Sequence, residues 1–216
     1  SKMLGKELDD LSDIKGEQPT EQKTENGAPL FETKDLCSDA GIKPFDFYIK
    51  KGEVNGFTGL LGSGRSECVR AIFGADRVIG GTVKKNGKQV KINKPLDAMR
   101  CGIGYLPEDR KGKGLHIDLG LAENLTLMTL ARYAHPWLDK GAEQAALTRA
   151  INDFGIKAGS HSARARMMSG GNQQKLALAK FLHPDPRVIV LDEPTRGVDV
   201  GAKRDIYFLI QRLAAE

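Results

Sequence analysis

Apolar and polar positions along the chain follow two periods, and each predicts a different element. Phe45, Phe47 and Ile49 alternate with polar neighbours, as in a half-buried strand. Leu30-Phe31-Glu32-Thr33 predicts a first strand at the start of the folded part, near Pro29. Glu53–Thr58 and Gly102–Leu106 read as two further short strands. Gly81–Ile92 predicts a hairpin turning on Asn86-Gly87, because those residue types accept the positive φ angles of a tight hairpin loop. Arg187–Leu191 is a continuous apolar run, the pattern of a strand buried on both faces of a parallel sheet. Helical spacing brings Val69, Ile72 and Phe73 to one side of a helix after residue 66, and Ile206, Leu209, Ile210 and Leu213 to one face of another. Further helices are predicted at 94–101, 121–133, 140–154 and from 170 onward, with a loop at 107–120. Strands separated by helices make an α/β core.

Composition narrows the class. With 216 residues, 40% of them hydrophobic and 28% charged, the chain suits one soluble domain with a subdomain. No apolar run approaches the ~18 residues of a membrane span, and the N-terminus lacks the layout of a secretion signal. Residues 13–28 are polar and read as a linker. Residues 1–12 read as the end of something upstream. Net charge is +5, unevenly spread: 1–28 carry −3 and the remainder +8. A basic body suits nucleotide phosphates, nucleic acid or an acidic partner equally. Cys37, Cys68 and Cys101 are few and widely spaced, as reduced thiols of a cytoplasmic protein would be. The four histidines have no metal-ligand spacing.

Three stretches carry chemistry. Gly59-Leu60-Leu61-Gly62-Ser63-Gly64-Arg65-Ser66 fits the phosphate loop G-x-x-x-x-G-K-[ST] except at the lysine, where Arg65 stands. Glycines let successive N–H groups turn toward phosphate oxygens, the helix start adds partial positive charge, and the Ser66 hydroxyl can ligate Mg²⁺. By itself the loop also reads as a plain strand-to-helix turn. Val188–Leu191 ends in Asp192 and Glu193, a pair suited to hold Mg²⁺ and to orient or deprotonate water, or simply two solvated acids. Met168-Ser169-Gly170-Gly171-Asn172-Gln173-Gln174-Lys175 opens a helix with a good N-cap, and its bare glycine N–H groups can approach an anion.

In this order the three stretches resemble an ATP-binding-cassette (ABC) nucleotide-binding domain. GLLGSGRS is similar to its Walker A, MSGGNQQK to its signature, VIVLDE to its Walker B, and the stretch from Pro194 to Asp199 to its D-loop. GIGYLPEDRKGKGL, SGGNQQK and DEPTRGVDVGAK look like the second cassette of fused ATPases that drive monosaccharide importers of the ribose, galactose and xylose type. The resemblance covers about residues 29–216 and implies a P-loop NTPase core of ABC type, an antiparallel β subdomain and an α-helical subdomain at about 120–183. It makes 1–12 the tail of a preceding cassette, and ends the domain before the strand that carries the switch histidine.

The resemblance also implies roles. ATP and Mg²⁺ are the cofactors. Gly59, Gly62, Ser63, Gly64, Arg65, Ser66 and Glu67 would bind nucleotide, Ser66 and Asp192 the metal, and Glu193 would be catalytic. Ser169, Gly170, Gly171, Asn172 and Gln173 would face the ATP of a partner cassette in a head-to-tail dimer, with Asp199 as the D-loop aspartate. Implied partners are a second cassette, membrane permease subunits and, indirectly, a sugar-binding protein, at the cytoplasmic face of the membrane; nucleic acid is not expected. A regulatory cassette without turnover, or an ABC-type ATPase of DNA repair or translation, are the alternatives, the latter disfavoured by the lack of heptads between Walker A and signature.

Departures from the family pattern are specific. Arg65 in place of lysine predicts an impaired site on this chain. Glu108 stands at the Q-loop glutamine position and predicts repulsion of a triphosphate. No aromatic lies between Leu36 and Lys43 to stack on adenine. The tract Arg110-Lys111-Gly112-Lys113 follows the Q-loop position, where family members face a permease, and Tyr133 and Trp137 are expected as core of the helical subdomain.

Overall fold

The computed structural model describes residues 28–60 and 62–215. The expected tail at 1–12 and all but the last residue of the 13–28 linker lie outside them. Among the described residues there are two sheets. An antiparallel sheet of order β2-β1-β3-β4 consists of β1 (Phe31–Ser38), β2 (Phe45–Ile49), β3 (Val78–Lys85) and β4 (Lys88–Val90). A two-stranded parallel sheet pairs β5 (Ile103–Leu106) with β6 (Val188–Leu191). The helices are α1 (Arg65–Phe73), α2 (Pro95–Arg100), α3 (Leu121–Thr126), α4 (Lys140–Phe154), α5 (Gly170–Leu182) and α6 (Val200–Ala215).

The first strand is twice as long as its pattern suggests, because a bulge interrupts its alternation. Phe31 and Thr33 are buried, then Leu36 and Ser38, so the period of two slips by one residue. The slip falls at Lys34 and Asp35, where register with β2 and β3 shifts and Asp35 takes φ 51°. Gly81, at φ 91°, lies opposite. A Cβ there would sit 2.4 Å from Asp35 O and 2.6 Å from Leu36 Cα, both backbone atoms with no room to yield. Gly81→Ala is therefore expected to lower stability by about 2 kcal/mol in urea unfolding; an unchanged midpoint would show that the bulge relaxes freely. The hairpin turns on Asn86 (φ 49°) and Gly87 (φ 73°), as expected.

Two buried clusters fill the fold. One joins the antiparallel sheet to α1, α2 and the start of the parallel pair, through Phe31, Leu36, Ile72, Val83 and Ile103. The other is helical, built on Leu121, Leu125, Leu147, Leu176, Leu178 and Ile206, with Leu106 at the end of β5.

Five expectations need correction. Glu53–Thr58 is irregular rather than a strand. Val54 and Phe57 are its sole large apolar side chains, Asn55-Gly56 separates them, and both stay exposed, Phe57 resting on the Phe47 ring at 5.3 Å. β6 is not buried on both faces: Val188 is buried and the next three residues half-buried, since its sheet has two strands. The helix expected at 121–133 breaks into α3 and a 3-10 stretch at Leu127–Arg132, with Thr129 at φ −125°. Trp137 is 84% exposed, whereas Tyr133 packs on the helical cluster. Within the predicted loop 107–120, residues Arg110–Gly114 form one wide helical turn, closed by Leu115 N donating to Arg110 O at 2.7 Å.

Candidate functional site

The glycine turn feeds α1. Gly62 (φ 80°) and Gly64 (φ 87°) take left-handed backbone, and Gly64 is the N-cap of α1. A Cβ on Gly59 would fall 2.4 Å from Ser63 Oγ, so any larger residue here must displace the Ser63 side chain. Residues 54–60 are exposed, which leaves the loop open to a ligand.

From the first turn of α1, Ser66 Oγ donates to Asp192 Oδ1 at 3.1 Å, across 126 residues of sequence. Asp192 lies directly after β6, and its N–H donates to Leu106 O at 3.0 Å, carrying the pairing with β5 one step further. The carboxylate is 8% exposed. Its other oxygen, Oδ2, accepts from the Tyr105 hydroxyl at 3.2 Å. Burial first, and then the Asp192 charge and hydrogen bond, raise the Tyr105 pKa far above its ordinary value, so the phenol stays a donor. Sequence reasoning missed Tyr105, because no motif marks it; its place in the strand beside β6 was the available signal. A hydroxyl and a carboxylate oxygen this close are hard donors, the set Mg²⁺ takes alongside phosphate and water.

Beside this pair, Arg65 Nη2 lies 3.3 Å from Glu193 Oε1, with both side chains more than a third exposed. Glu193 itself has φ 50°. The Glu67 carboxylate accepts from Arg70, which also holds Asp76 at 2.9 Å, so its backbone N–H is the group left to face a ligand. Glu108 is likewise not a bare charge: it forms an ion pair with Arg196.

A second group gathers at the start of α5. Ser169 is its N-cap, accepting from Asn172 Nδ2 at 2.9 Å. Close packing favours glycine here, most strongly at Gly171: a Cβ on Gly170 would lie 3.2 Å from Gly197 O, and one on Gly171 would lie 2.6 Å from Ala202 Cβ. Asp199 caps α6 through Ala202 N at 2.9 Å. Asn172 and Gln173, expected from the resemblance to face a partner's nucleotide, have side chains engaged within this chain. Asn172 Oδ1 accepts from Lys157 N at 2.7 Å, and buried Gln173 donates to Ala165 O at 3.1 Å. Neighbouring Gln174 accepts from Arg110 at 3.3 Å, and buried Lys180 donates to Gly114 O at 2.8 Å, so α5 holds the wide turn after β5.

The loop that follows β6 thus touches both groups, Glu193 at one end and Gly197 and Asp199 at the other. The sequence model described as ABC transporter matches residues 42–196. The chain belongs to the ABC transporter family. A ribose import ATP-binding protein of Streptococcus agalactiae is 41% identical over 214 residues, which cover 99% of this chain and 42% of that protein. One from Lactococcus lactis is 44% identical over 186 residues, covering 86% of this chain and 38% of that protein. The cassette described here therefore spans about two fifths of the length of the curated relatives it matches.

Solved cassettes share its fold. An ATP-binding cassette of an ABC transporter in its ADP conformation superposes with TM-score 0.72 at 20% identity, covering 87% of this chain and 78% of that one. A dimeric post-hydrolysis cassette bound to ADP and Pi gives TM-score 0.68 at 22% identity, covering 85% and 82%. No described helix of this cassette is long and apolar enough to cross a membrane.

Proposed function

We propose that this chain is an ATP-binding and ATP-hydrolysing cassette, the second of two in a longer polypeptide, that powers import of a simple sugar through membrane permease subunits supplied by a sugar-binding protein. It would act peripherally, at the cytoplasmic face. The observation that carries the reading is the Ser66–Asp192 hydrogen bond, which joins the glycine turn to the acid after β6.

Backbone N–H groups from Gly59 to Glu67 bind phosphates, reinforced by the N-terminus of α1. Ser66 and Asp192 would hold Mg²⁺, which would supply screening of phosphate charge. Tyr105 fixes Asp192 through Oδ2, with Oδ1 beside Ser66. Glu193 is the acid that orients or deprotonates water. Ser169, Gly170 and Gly171 present N–H groups to the ATP of a partner cassette, and Asp199 stands beside them. Pairing with Arg196 offsets part of the Glu108 charge and so lessens the repulsion expected of it. Arg65 in place of lysine makes this cassette's own phosphate site the weaker of two, so that it contributes chiefly its signature.

Asp192→Asn is expected to weaken Mg²⁺-dependent ATP binding by about tenfold, with EDTA weakening the wild type and leaving the variant nearly unchanged. Calorimetric titration reads both. Equal EDTA sensitivity in the two proteins would remove Asp192 from the metal.

A further inference from the structure

Arg65 and Glu193 form an ion pair inside the proposed nucleotide site, between the basic residue of the phosphate loop and the acid assigned to water. The ion pair coincides with an unusual backbone conformation at Glu193. Glu193 holds φ 50°, a left-handed conformation that costs a non-glycine residue about 1–3 kcal/mol and persists where the surroundings demand it. The turn is closed by Arg196 N donating to Glu193 O at 3.0 Å, while Arg196 is held in turn by Glu108. Arg65 occupies the first turn of α1, where its reach is set by the same glycine turn.

We infer that nucleotide phosphate and the Glu193 carboxylate compete for the Arg65 guanidinium, so that nucleotide binding at this site releases the carboxylate that its hydrolysis needs. The inference rests on the reading of Gly59–Ser66 as a phosphate loop and adds a regulatory contact to it. A guanidinium favours this competition over an ammonium. Its planar fork matches carboxylate and phosphate alike, and it is less strongly hydrated, so each anion is a true partner for it. While Arg65 holds Glu193, the carboxylate is engaged by a cation, and the phosphates meet a basic residue already paired. When a phosphate takes Arg65, Glu193 becomes a free carboxylate beside it. One residue change from the motif thus couples occupancy to the state of the acid.

The test is a double-mutant cycle on Mg·ADP affinity, read by calorimetry so that no turnover intervenes. Four proteins are compared: the wild type, Glu193→Gln, Arg65→Ala and the double variant. Simple repulsion between Glu193 and the phosphates tightens binding by the same factor in both Arg65 backgrounds when Glu193 is neutralised. Competition adds to this only where Arg65 is present, by about two- to fivefold for a pair this exposed. The expected result is that larger factor in the wild-type background. Equal factors in the two backgrounds would overturn the competition while leaving the phosphate loop intact. Absence of ADP binding in all four proteins would overturn both. The two side chains are at the surface of the site, and a thermal melt of each variant confirms folding.

Discussion

Ser169→Arg is expected to lower ATP turnover of the full-length protein by about a hundredfold, while Arg65→Ala changes it by less than about threefold. The first figure is the usual loss when donors aimed at developing phosphate charge are blocked. Ser169 is exposed at the start of α5, so an arginine fits without disturbing the core, yet its side chain fills the space in front of the Gly170 and Gly171 N–H groups. Loss of the cap alone is worth about 1 kcal/mol of stability, and Ser169→Ala separates that part from the block. The second figure follows from the position of Arg65, on a phosphate site that already lacks the motif's lysine and whose arginine is drawn to Glu193. Steady-state phosphate release from the two variants is the measurement. Intact turnover in Ser169→Arg, together with its loss in Arg65→Ala, would reverse the assignment and make this the working phosphate site.

Leu176→Ala is expected to lower unfolding free energy by about 3–4 kcal/mol. Leu176 is fully buried in the helical cluster, and truncating it leaves a cavity as well as losing apolar burial. Leu176 also lies on the helix whose first residues pack Gly170 and Gly171 against the loop after β6. A repacked α5 would therefore disturb the signature before the rest of the fold. Urea unfolding gives the magnitude. A loss below about 1 kcal/mol would mean that the cluster collapses around the gap and that α5 is not held as tightly as its burial implies.

Much of the site was legible because it is local. Gly62 and Gly64 are demanded by left-handed backbone within four residues of each other, and Ser169 caps through a bond to the residue three further on. The hairpin at Asn86-Gly87 is set in the same way, by the φ angles those two residues accept. What failed was also local in form but lacked a partner. Glu53–Thr58 has apolar residues without alternation, and a strand needs a neighbour that pattern alone does not supply. Trp137 was expected in the core of the helical subdomain, yet burial depends on whether a cavity of its shape exists nearby.

The sequence by itself determined the glycine turn, the capped helix start, the paired acids after an apolar strand and the family to which their order belongs. Tertiary structure alone decided which of these side chains meet. It set Ser66 on Asp192, brought Tyr105 to the other oxygen of that carboxylate, and paired Arg65 with Glu193 and Glu108 with Arg196. The reason is range. Turns and caps are fixed by backbone angles over three or four residues, whereas contacts across 126 residues exist only once β5 and β6 have paired and the two buried clusters have packed around them.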